Sequence, residues 1–297
     1  MLGPAVAPPQ RRRGAGRRRP VALLATAAFV VAIAIVVASG ALPSGEGPQI
    51  AHRIAPPVAE AAPLVKLAKR IQQQPAPTGD ATLVFRTHHF PEAKGFTGAD
   101  LYLDDGRYYF GATLAELKAV KATDDIGEGV PKREHDAAVA ANDLDPQAAR
   151  KAMIDATWAG GHAPTAAENQ AASARNLKIL KLKRPKGPVP TPASPLTIDN
   201  NRIWMGGMDM LISGAGDAKV RAGVMKLFST IEAVKVTDRG ETLEITDTDF
   251  PDGYQETLVV DAQTGVIQKM IGGVAGKTPD VTVTYDIKRV DAKDYIS

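Results

Sequence analysis

The feature that most restricts what this chain can fold into is an uncharged apolar run over residues 21–38, in which Thr26 is the one polar side chain. In a helix, these 18 residues extend about 27 Å, the hydrocarbon thickness of a bilayer. Six arginines precede the run, at positions 11–13 and 17–19, without any acidic residue. Because cationic flanks stay in the cytoplasm, we predict a single-pass protein with a cytoplasmic N-terminus and an extracytoplasmic bulk.

The apolar run divides the chain into predicted segments. These are a disordered basic tail (1–20), a transmembrane anchor (21–39), a Gly- and Pro-rich linker (40–57) and an extracytoplasmic α+β domain (58–297). Five prolines within residues 185–195 predict an extended connector, which would separate halves 58–184 and 196–297. A cleaved signal peptide is the alternative to the anchor, since Ala38, Ser39 and Gly40 are small. The length of the run favours a retained anchor.

Charge and cysteine content exclude several classes of protein. Without the six arginines of the tail, the chain has 30 basic and 33 acidic side chains. The predicted outer part therefore lacks the positive potential that nucleic-acid binding requires. Since the chain has no cysteine, disulfides, thiol chemistry and a lipidated-cysteine anchor are excluded.

The first part of the outer domain predicts one helix followed by strands. A helix over 63–73 places Leu64, Leu67, Ala68 and Ile71 on one face. Residues 81–90 alternate as a strand, with Leu83, Phe85, Thr87 and His89 opposite Val84, Arg86 and His88. Asp105-Gly106 predicts a hairpin turn between two further strands, because this dipeptide accepts positive φ. Leu114 to Ala122 fits either a strand or a short helix.

The middle of the chain predicts loops and helices. Residues 124–144 are polar and are expected to form a loop. Asp145 and Pro146 suit the N-cap and first position of a helix that reaches Trp158. Thr165 and Glu168 have capping-box spacing, which predicts a second helix over 166–181.

The last hundred residues predict a helix followed by an antiparallel meander. A short helix is expected from Ile203 to Ile212, weakened by two glycines, and Asp217 caps an amphipathic helix that reaches Ile231. Short apolar runs separated by turn residues follow, around 234–236, 243–245, 254–260, 266–271 and 281–287. This pattern predicts a curved antiparallel sheet packed by helices, hence an α+β fold.

No motif indicates catalysis or a bound cofactor. His88 and His89 would point to opposite faces of a strand and chelate one metal poorly. Asp247, Asp249 and Asp252 fail the calcium-loop pattern, because neither Gly nor Glu occupies the required positions. We therefore assign no catalytic, cofactor-binding or metal-binding residue, and the ligand-binding residues stay unknown. Trp158, Trp204, Met205, Met208 and Met210 are expected in the core, although Trp204 and the methionines would suit an adaptable apolar pocket.

Four stretches carry a resemblance to a known family. They are the basic tail with its anchor, the helix start Leu144–Ala148, the helix Lys219–Ile231 with Val234–Asp238, and the strand and turn Gln255–Gly265. They resemble an actinobacterial family of uncharacterised single-pass membrane proteins encoded beside extracytoplasmic-function sigma factors. The resemblance implies an envelope role tied to signalling and supplies no catalytic residue. At the level of fold, the meander with its helix also looks like lipoprotein-carrier and sigma-regulator sensor domains.

We therefore expect a non-catalytic, membrane-anchored extracytoplasmic sensor or regulatory module of the cell envelope. The alternative is an envelope binder or carrier of an apolar ligand such as a lipid, which a large apolar cavity would favour. A hydrolase is a third hypothesis, favoured by a carboxylate pair that faces a cleft. The expected partners are the membrane, through residues 21–38, and either an envelope protein or a lipid, without a cofactor or nucleic acid.

Overall fold

The structure, a computed structural model, describes residues 62–127, 129–158, 160–165, 167 and 195–296. The predicted tail, anchor and linker lie outside the described residues. So do the helix predicted over 166–181, apart from Ala167, and the connector 185–195, apart from Pro195. Within the described part of the chain, no helix has both the length and the hydropathy to cross a bilayer.

The described helices are Ala62–Ile71 (α1), Leu114–Leu117 (α2), Val130–Ala140 (α3), Pro146–Ala156 (α4), Pro195–Ser213 (α5) and Ala218–Phe228 (α6). The strands are Ala81–His89 (β1), Phe96–Leu103 (β2), Tyr108–Gly111 (β3), Val234–Asp238 (β4), Thr242–Asp247 (β5), Tyr254–Asp261 (β6), Ile267–Val274 (β7) and Val281–Val290 (β8). Two 3₁₀ turns, Pro251–Gly253 and Ala292–Asp294, complete the described elements.

All eight strands form one antiparallel sheet in the order β3-β2-β1-β8-β7-β6-β5-β4. Each neighbouring pair except β1 and β8 is also consecutive in the chain, so the sheet is a meander whose first and last strands meet in its interior. The two halves predicted on either side of the proline-rich connector therefore contribute to the same sheet. The predicted α+β class, an antiparallel meander packed by helices, is confirmed.

A helical layer, formed by α1, α3, α4, α5 and α6, shares one apolar core with strands β4 to β7. Fully buried residues from both partners meet in this core, including Leu67 on α1, Phe228 on α6, Ile245 on β5 and Leu258 on β6. The predicted helical stripe Leu64, Leu67, Ala68 and Ile71 is buried there. The alternation of apolar residues thus places β4 to β7 with one face against helices and the other toward solvent.

A second core lies on the opposite face of β1 to β3. Leu83, Leu101 and Tyr109 stand opposite one another in register and are fully buried. Leu117 of α2 and Ala292 of the last 3₁₀ turn cover them. Strand β1 is therefore covered on both faces, by this second core on one side and by α5 of the helical layer on the other.

The loop expected over 124–144 is wrong, because Val130–Ala140 is a helix. Pro131 occupies the first turn, where a missing N–H has no cost, and Gly129 precedes it with a φ of 73°. The buried residues of α3 are Ala137, Ala138 and Glu134 rather than large apolar side chains. A buried face made of two alanines and one acid leaves no hydrophobic period in the sequence.

The helix expected over 203–212 is longer than predicted and runs from Pro195 to Ser213. Its two glycines allow close packing and do not end the helix. A Cβ at Gly207 would lie 2.4 Å from Cε1 of Phe228, and one at Gly206 would lie 2.8 Å from the methyl group of Thr157. The remaining predicted helices, strands and caps on described residues are confirmed, including the Asp145 and Asp217 N-caps. The open stretch Leu114 to Ala122 begins with helix α2.

Candidate functional site

Charged and phenolic side chains collect where the helical layer meets strands β1 and β2. We call this set the polar seam. It consists of Arg86, Asp100, Tyr102, Tyr108 and Tyr285 from the sheet, with Glu134 and Asp209 from helices α3 and α5. Each of these side chains is buried or half-buried. Ionisable groups rarely occupy such positions unless they are paired or functional, so the seam is the candidate site.

Strand register brings the sheet members of the seam onto one face. Arg86 of β1 is opposite Gly98 of β2 on one side and Tyr285 of β8 on the other. Tyr102 of β2 is opposite Tyr108 of β3. Because side chains alternate along a strand, these residues share the face that the helical layer covers. A Cβ at position 98 would crowd this face, since it would lie 2.9 Å from Cε2 of Phe110 and 3.1 Å from Nε of Arg86.

A buried ion pair lies at the centre of the sheet side. Nε of Arg86 is 3.0 Å from Oδ2 of Asp100, whose side chain has no exposed surface. The hydroxyl of Tyr108 donates a 2.6 Å hydrogen bond to Oδ1 of the same carboxylate. Burial raises the pKa of Asp100, although Arg86 and Tyr108 act in the opposite direction. The Arg86 guanidinium also lies 5.4 Å from the ring centre of Phe110.

Two tyrosine rings extend the seam beside this pair. The rings of Tyr102 and Tyr108 are stacked with centroids 4.6 Å apart. Burial raises the pKa of Tyr102 well above its usual value, and burial likewise raises the pKa of Tyr285 on the far side of Arg86. These phenols therefore remain neutral at physiological pH.

Two carboxylates approach this surface from the helical layer. Glu134 is 5% exposed on α3, and Asp209 lies on α5, which packs against α3 and contacts β1. Burial and the nearby Asp209 raise the pKa of Glu134 to about 9. Burial raises the pKa of Asp209 to about 7, opposed by Arg86. Among the described residues, no donor forms a hydrogen bond to either carboxylate.

The border of the seam toward the apolar core is also polar. Nε1 of Trp204 donates a 2.7 Å hydrogen bond to Oε2 of Glu256 on β6. Burial raises the pKa of Glu256, and so does the neighbouring Asp247, which is 1% exposed. The indole of Trp204 stacks on Phe228 with centroids 4.7 Å apart. Trp204 therefore links the apolar core to the acidic border.

His88 follows Arg86 by two positions on β1 and lies on the same face of the strand. It is 8% exposed and stacks on Phe96, with ring centroids 4.1 Å apart. Neither ring nitrogen has a hydrogen-bond partner among the described residues. Burial and the Arg86 charge lower the pKa of His88 to about 4, so the ring is neutral at physiological pH. His89 points to the exposed side, as the alternation predicted.

Metal binding has no support within the described residues. No group of three or more His, Asp or Glu side chains is placed to hold an ion there. Asp247 ends strand β5, where its Oδ1 accepts the backbone N–H of Asp249, and Asp252 lies in the 3₁₀ turn that follows. The turn expected from Phe250-Pro251-Asp252-Gly253 is confirmed.

A shallow surface groove of about 470 Å³ lies beside the β2–β3 turn and is a weaker candidate. Its acids already have partners. Asp104 forms two 2.8 Å hydrogen bonds with Arg289, Asp105 pairs with Arg107, and Asp80 accepts the N–H of Ala292. These contacts fix the last 3₁₀ turn to the sheet and leave little charge for a ligand.

The sequence did not predict the seam. Of the expected core residues, Trp204, Met208 and Met210 are in the core and Met205 packs against it. Trp158 was also expected there, but it is half-buried outside both cores, with the guanidinium of Arg202 3.2 Å from its ring centre. The seam residues come from six different elements and form no local motif. One feature of β1 could have indicated the seam, because Arg86 and His88 lie on the same face of the strand as Val84. A strand whose two faces both carry large side chains predicts enclosure on both sides.

Comparison with protein-family models, with curated proteins and with solved structures finds no match to this chain.

Proposed function

We propose that this chain is a non-catalytic, membrane-anchored sensor or regulatory module of the cell envelope, with its α+β domain outside the membrane. The polar seam is the observation that carries the proposal. It lies between the helical layer and strands β1 and β2, which are also held by a separate core on their other face. A change of charge or ligand at the seam would therefore act on how the helices pack against this part of the sheet.

The energetics of the seam support a responsive role. An apolar contact of the same size would hold the helices with little dependence on conditions. Buried ion pairs and buried carboxylates cost desolvation energy, and their interaction changes with protonation and with any bound partner. Asp100 is paired, but Glu134 and Asp209 receive no hydrogen bond from the described residues. The packing of the helices on the sheet therefore depends on protonation or on a partner bound at the seam.

A hydrolase is not favoured by this pair, because acid–base hydrolysis needs two carboxyl groups that face a cleft, whereas Glu134 is only 5% exposed. The carrier of an apolar ligand has less support, because Trp204, Met208 and Met210 are packed against protein in the core. It stays a prediction.

The membrane topology can be tested with single cysteines, because the chain has none of its own. Lys277→Cys, on an exposed turn, should react with a membrane-impermeant maleimide on intact cells. A cysteine placed in the tail, Gln10→Cys, should react only after permeabilisation. Labelling of both positions only in permeabilised cells would contradict the extracytoplasmic placement.

The sensing role is tested by comparing transcripts in the native host. Three strains are needed: one with the full chain, one without it, and one with residues 1–61 alone. A sensor should change a defined set of transcripts when the outer domain is lost, and residues 1–61 should not restore them. Unchanged transcripts with an altered chemical composition of the envelope would contradict the sensor and favour the hydrolase.

A further inference from the structure

The chain contains two Asp-Gly dipeptides, Asp105-Gly106 in the turn between β2 and β3 and Asp252-Gly253 in the turn between β5 and β6. In such a dipeptide the backbone nitrogen of the glycine can attack Cγ of the aspartate, because glycine has no Cβ to hinder the approach. A five-membered succinimide ring forms. Its hydrolysis returns aspartate or gives isoaspartate, in which the backbone continues through the side-chain carbonyl group. The reaction needs no enzyme or cofactor, so the local structure decides where it occurs.

The first dipeptide, Asp105-Gly106, is held against this reaction. Oδ2 of Asp105 accepts a 2.9 Å hydrogen bond from Nε of Arg107, and Oδ1 accepts the backbone N–H of the same residue over 3.1 Å. The attacking group, the backbone N–H of Gly106, donates to the carbonyl oxygen of Leu103 over 2.9 Å. Gly106 is also buried, and a Cβ there would lie 2.4 Å from Cβ of Lys132. The carboxyl group and the amide are therefore both restrained.

The charge of Asp105 acts in the same direction. The hydrogen bond from Arg107 lowers the pKa of Asp105, so the carboxyl group stays ionised at physiological pH. An ionised carboxylate is a poor electrophile, because its charge repels the nucleophile and no hydroxyl group is ready to leave. Arg107 therefore protects the first dipeptide both by position and by charge.

The second dipeptide, Asp252-Gly253, has none of these restraints on its carboxyl group. Among the residues that the structure describes, no hydrogen bond or ion pair holds the carboxyl group of Asp252. Both residues are exposed, and a Cβ at Gly253 would meet no atom within 4 Å. Asp252 has a φ of 59°, in the left-handed region that is unfavourable for a residue with a Cβ. Opening of this turn relieves that strain, so conformations in which Cγ approaches the glycine nitrogen are accessible.

We propose that Asp252 is a site of spontaneous modification, where aspartate converts to isoaspartate through a succinimide formed with Gly253, and that Asp105 is protected from the same reaction. A bond forms between the nitrogen of Gly253 and Cγ of Asp252. The hydroxyl group of the protonated carboxyl group leaves with the amide proton as water. A second water molecule then opens the ring, so the conversion is an isomerisation without oxidation or net change of mass.

The conversion would alter the start of strand β6, because it inserts one more carbon atom into the backbone of the turn. Phe250, before the turn, packs against the apolar core, and its ring centroid lies 5.8 Å from that of Tyr254, the first residue of β6. The carbonyl oxygen of Gly253 accepts the backbone N–H of Ala275 over 3.1 Å. A longer backbone displaces these contacts, so we expect the modified protein to be less stable. This inference does not depend on the proposed sensor function.

The test is incubation of the full chain, in nanodiscs at neutral pH, in water enriched in the heavy oxygen isotope. Each succinimide that opens incorporates one heavy oxygen, which mass spectrometry of the peptides from the two turns detects. We expect label at Asp252 about tenfold or more above that at Asp105, since loss of a charge-assisted hydrogen bond has about this effect on a rate. The labelled peptide should also resist the protease that cleaves before aspartate. No label at Asp252, or equal label at both sites, would overturn the proposal.

Two variants test the chemistry and the protection separately. Asp252→Glu should abolish the label, because its longer side chain closes a six-membered ring far more slowly. Arg107→Gln should raise the label at Asp105, whereas Arg239→Gln, the matched control in another exposed ion pair, should not. Thermal unfolding before and after the incubation measures the cost, which Asp252→Glu should remove. Label that persists in Asp252→Glu, or an Asp105 that stays unlabelled in Arg107→Gln, would overturn the assignment.

Discussion

The indole of Trp204 donates its N–H to the carboxylate of Glu256 over 2.7 Å, which joins helix α5 to strand β6. This bond lies at the boundary between an apolar core and the acidic side of the polar seam. Burial raises the pKa of Glu256, so its ionised form is disfavoured in the folded state. Burying Glu256 therefore costs the folded state more stability as the pH rises above the carboxyl group's ordinary value, and the hydrogen bond from Trp204 offsets part of that cost.

Glu256→Gln should make the protein more stable at about pH 8 and leave it nearly unchanged at about pH 4. The amide oxygen still accepts from Trp204, and the cost of a buried charge is removed. Urea unfolding, followed by tryptophan fluorescence at both pH values, measures the difference. Glu244→Gln, on the opposite side of the sheet, is the control and should show no such gain. A loss of stability at about pH 8 would contradict the expectation.

Arg86→Met should lower the free energy of unfolding by roughly 3–5 kcal/mol, because it leaves the buried Asp100 without its cation. Adding Asp100→Asn should recover part of the loss, since the uncompensated charge is gone. Urea unfolding of both single variants and the double variant gives the coupling. Arg239→Gln, which breaks the exposed pair with Glu244, is the control and should have little effect. An equal effect of Arg86→Met and Arg239→Gln would contradict the enclosed geometry.

Gly207→Ala should destabilise the protein by about 1–3 kcal/mol, because the new Cβ would lie 2.4 Å from the ring of Phe228. In an uncrowded helix interior the same change stabilises by about 1 kcal/mol. A loss of stability would therefore indicate that Gly207 is closely packed. Gly206→Ala should cost less, since its close neighbours include the flexible end of Met153. Thermal unfolding of both variants decides the order, and a stabilised Gly207→Ala would refute the close approach of α5 and α6.

His135→Gln should destabilise the protein more at about pH 5.5 than at about pH 8.5. The carboxylate of Asp217, 3.6 Å from Nε2, and that of Asp136 raise the pKa of His135, so the imidazolium contributes stability below its unfolded pKa. That contribution is lost as the pH rises through the folded value. Denaturant unfolding at the two pH values checks the sign. Equal losses at both would mean that packing, not charge, determines the contribution of His135.

Strand and helix positions with a clear apolar period could be predicted from the sequence, and the site could not. Leu83, Ile245 and Leu258 each belong to a run in which every second residue is apolar, so their strands could be recognised from the sequence. Helix α3 was missed because Glu134 occupies its buried face, where a pattern based on hydrophobicity expects an apolar residue. A buried acid looks like a solvent-facing one until tertiary contacts are known.

The seam escaped prediction for a related reason. Arg86 and Asp100 are 14 positions apart and meet diagonally across a strand pair, which depends on register. Asp209 reaches the same place only because α5 extends from Pro195 and packs closely through its glycines. Strand register and helix packing are set by the whole fold. No local sequence pattern therefore shows that Arg86, Asp100 and Asp209 come together.

The pairing of β1 with β8 also determines how late in synthesis the sheet can be completed. Ala81 is opposite Val290, so the N-terminal hairpin has no neighbour on its inner side until the chain has been synthesised to that point. Contacts of such long range form slowly and late. A ribosome that stops before β8 releases two partial sheets, each with an open edge available to other chains. We therefore expect nonsense alleles that remove only the final strand to behave as quality-control substrates and not as shortened, working proteins.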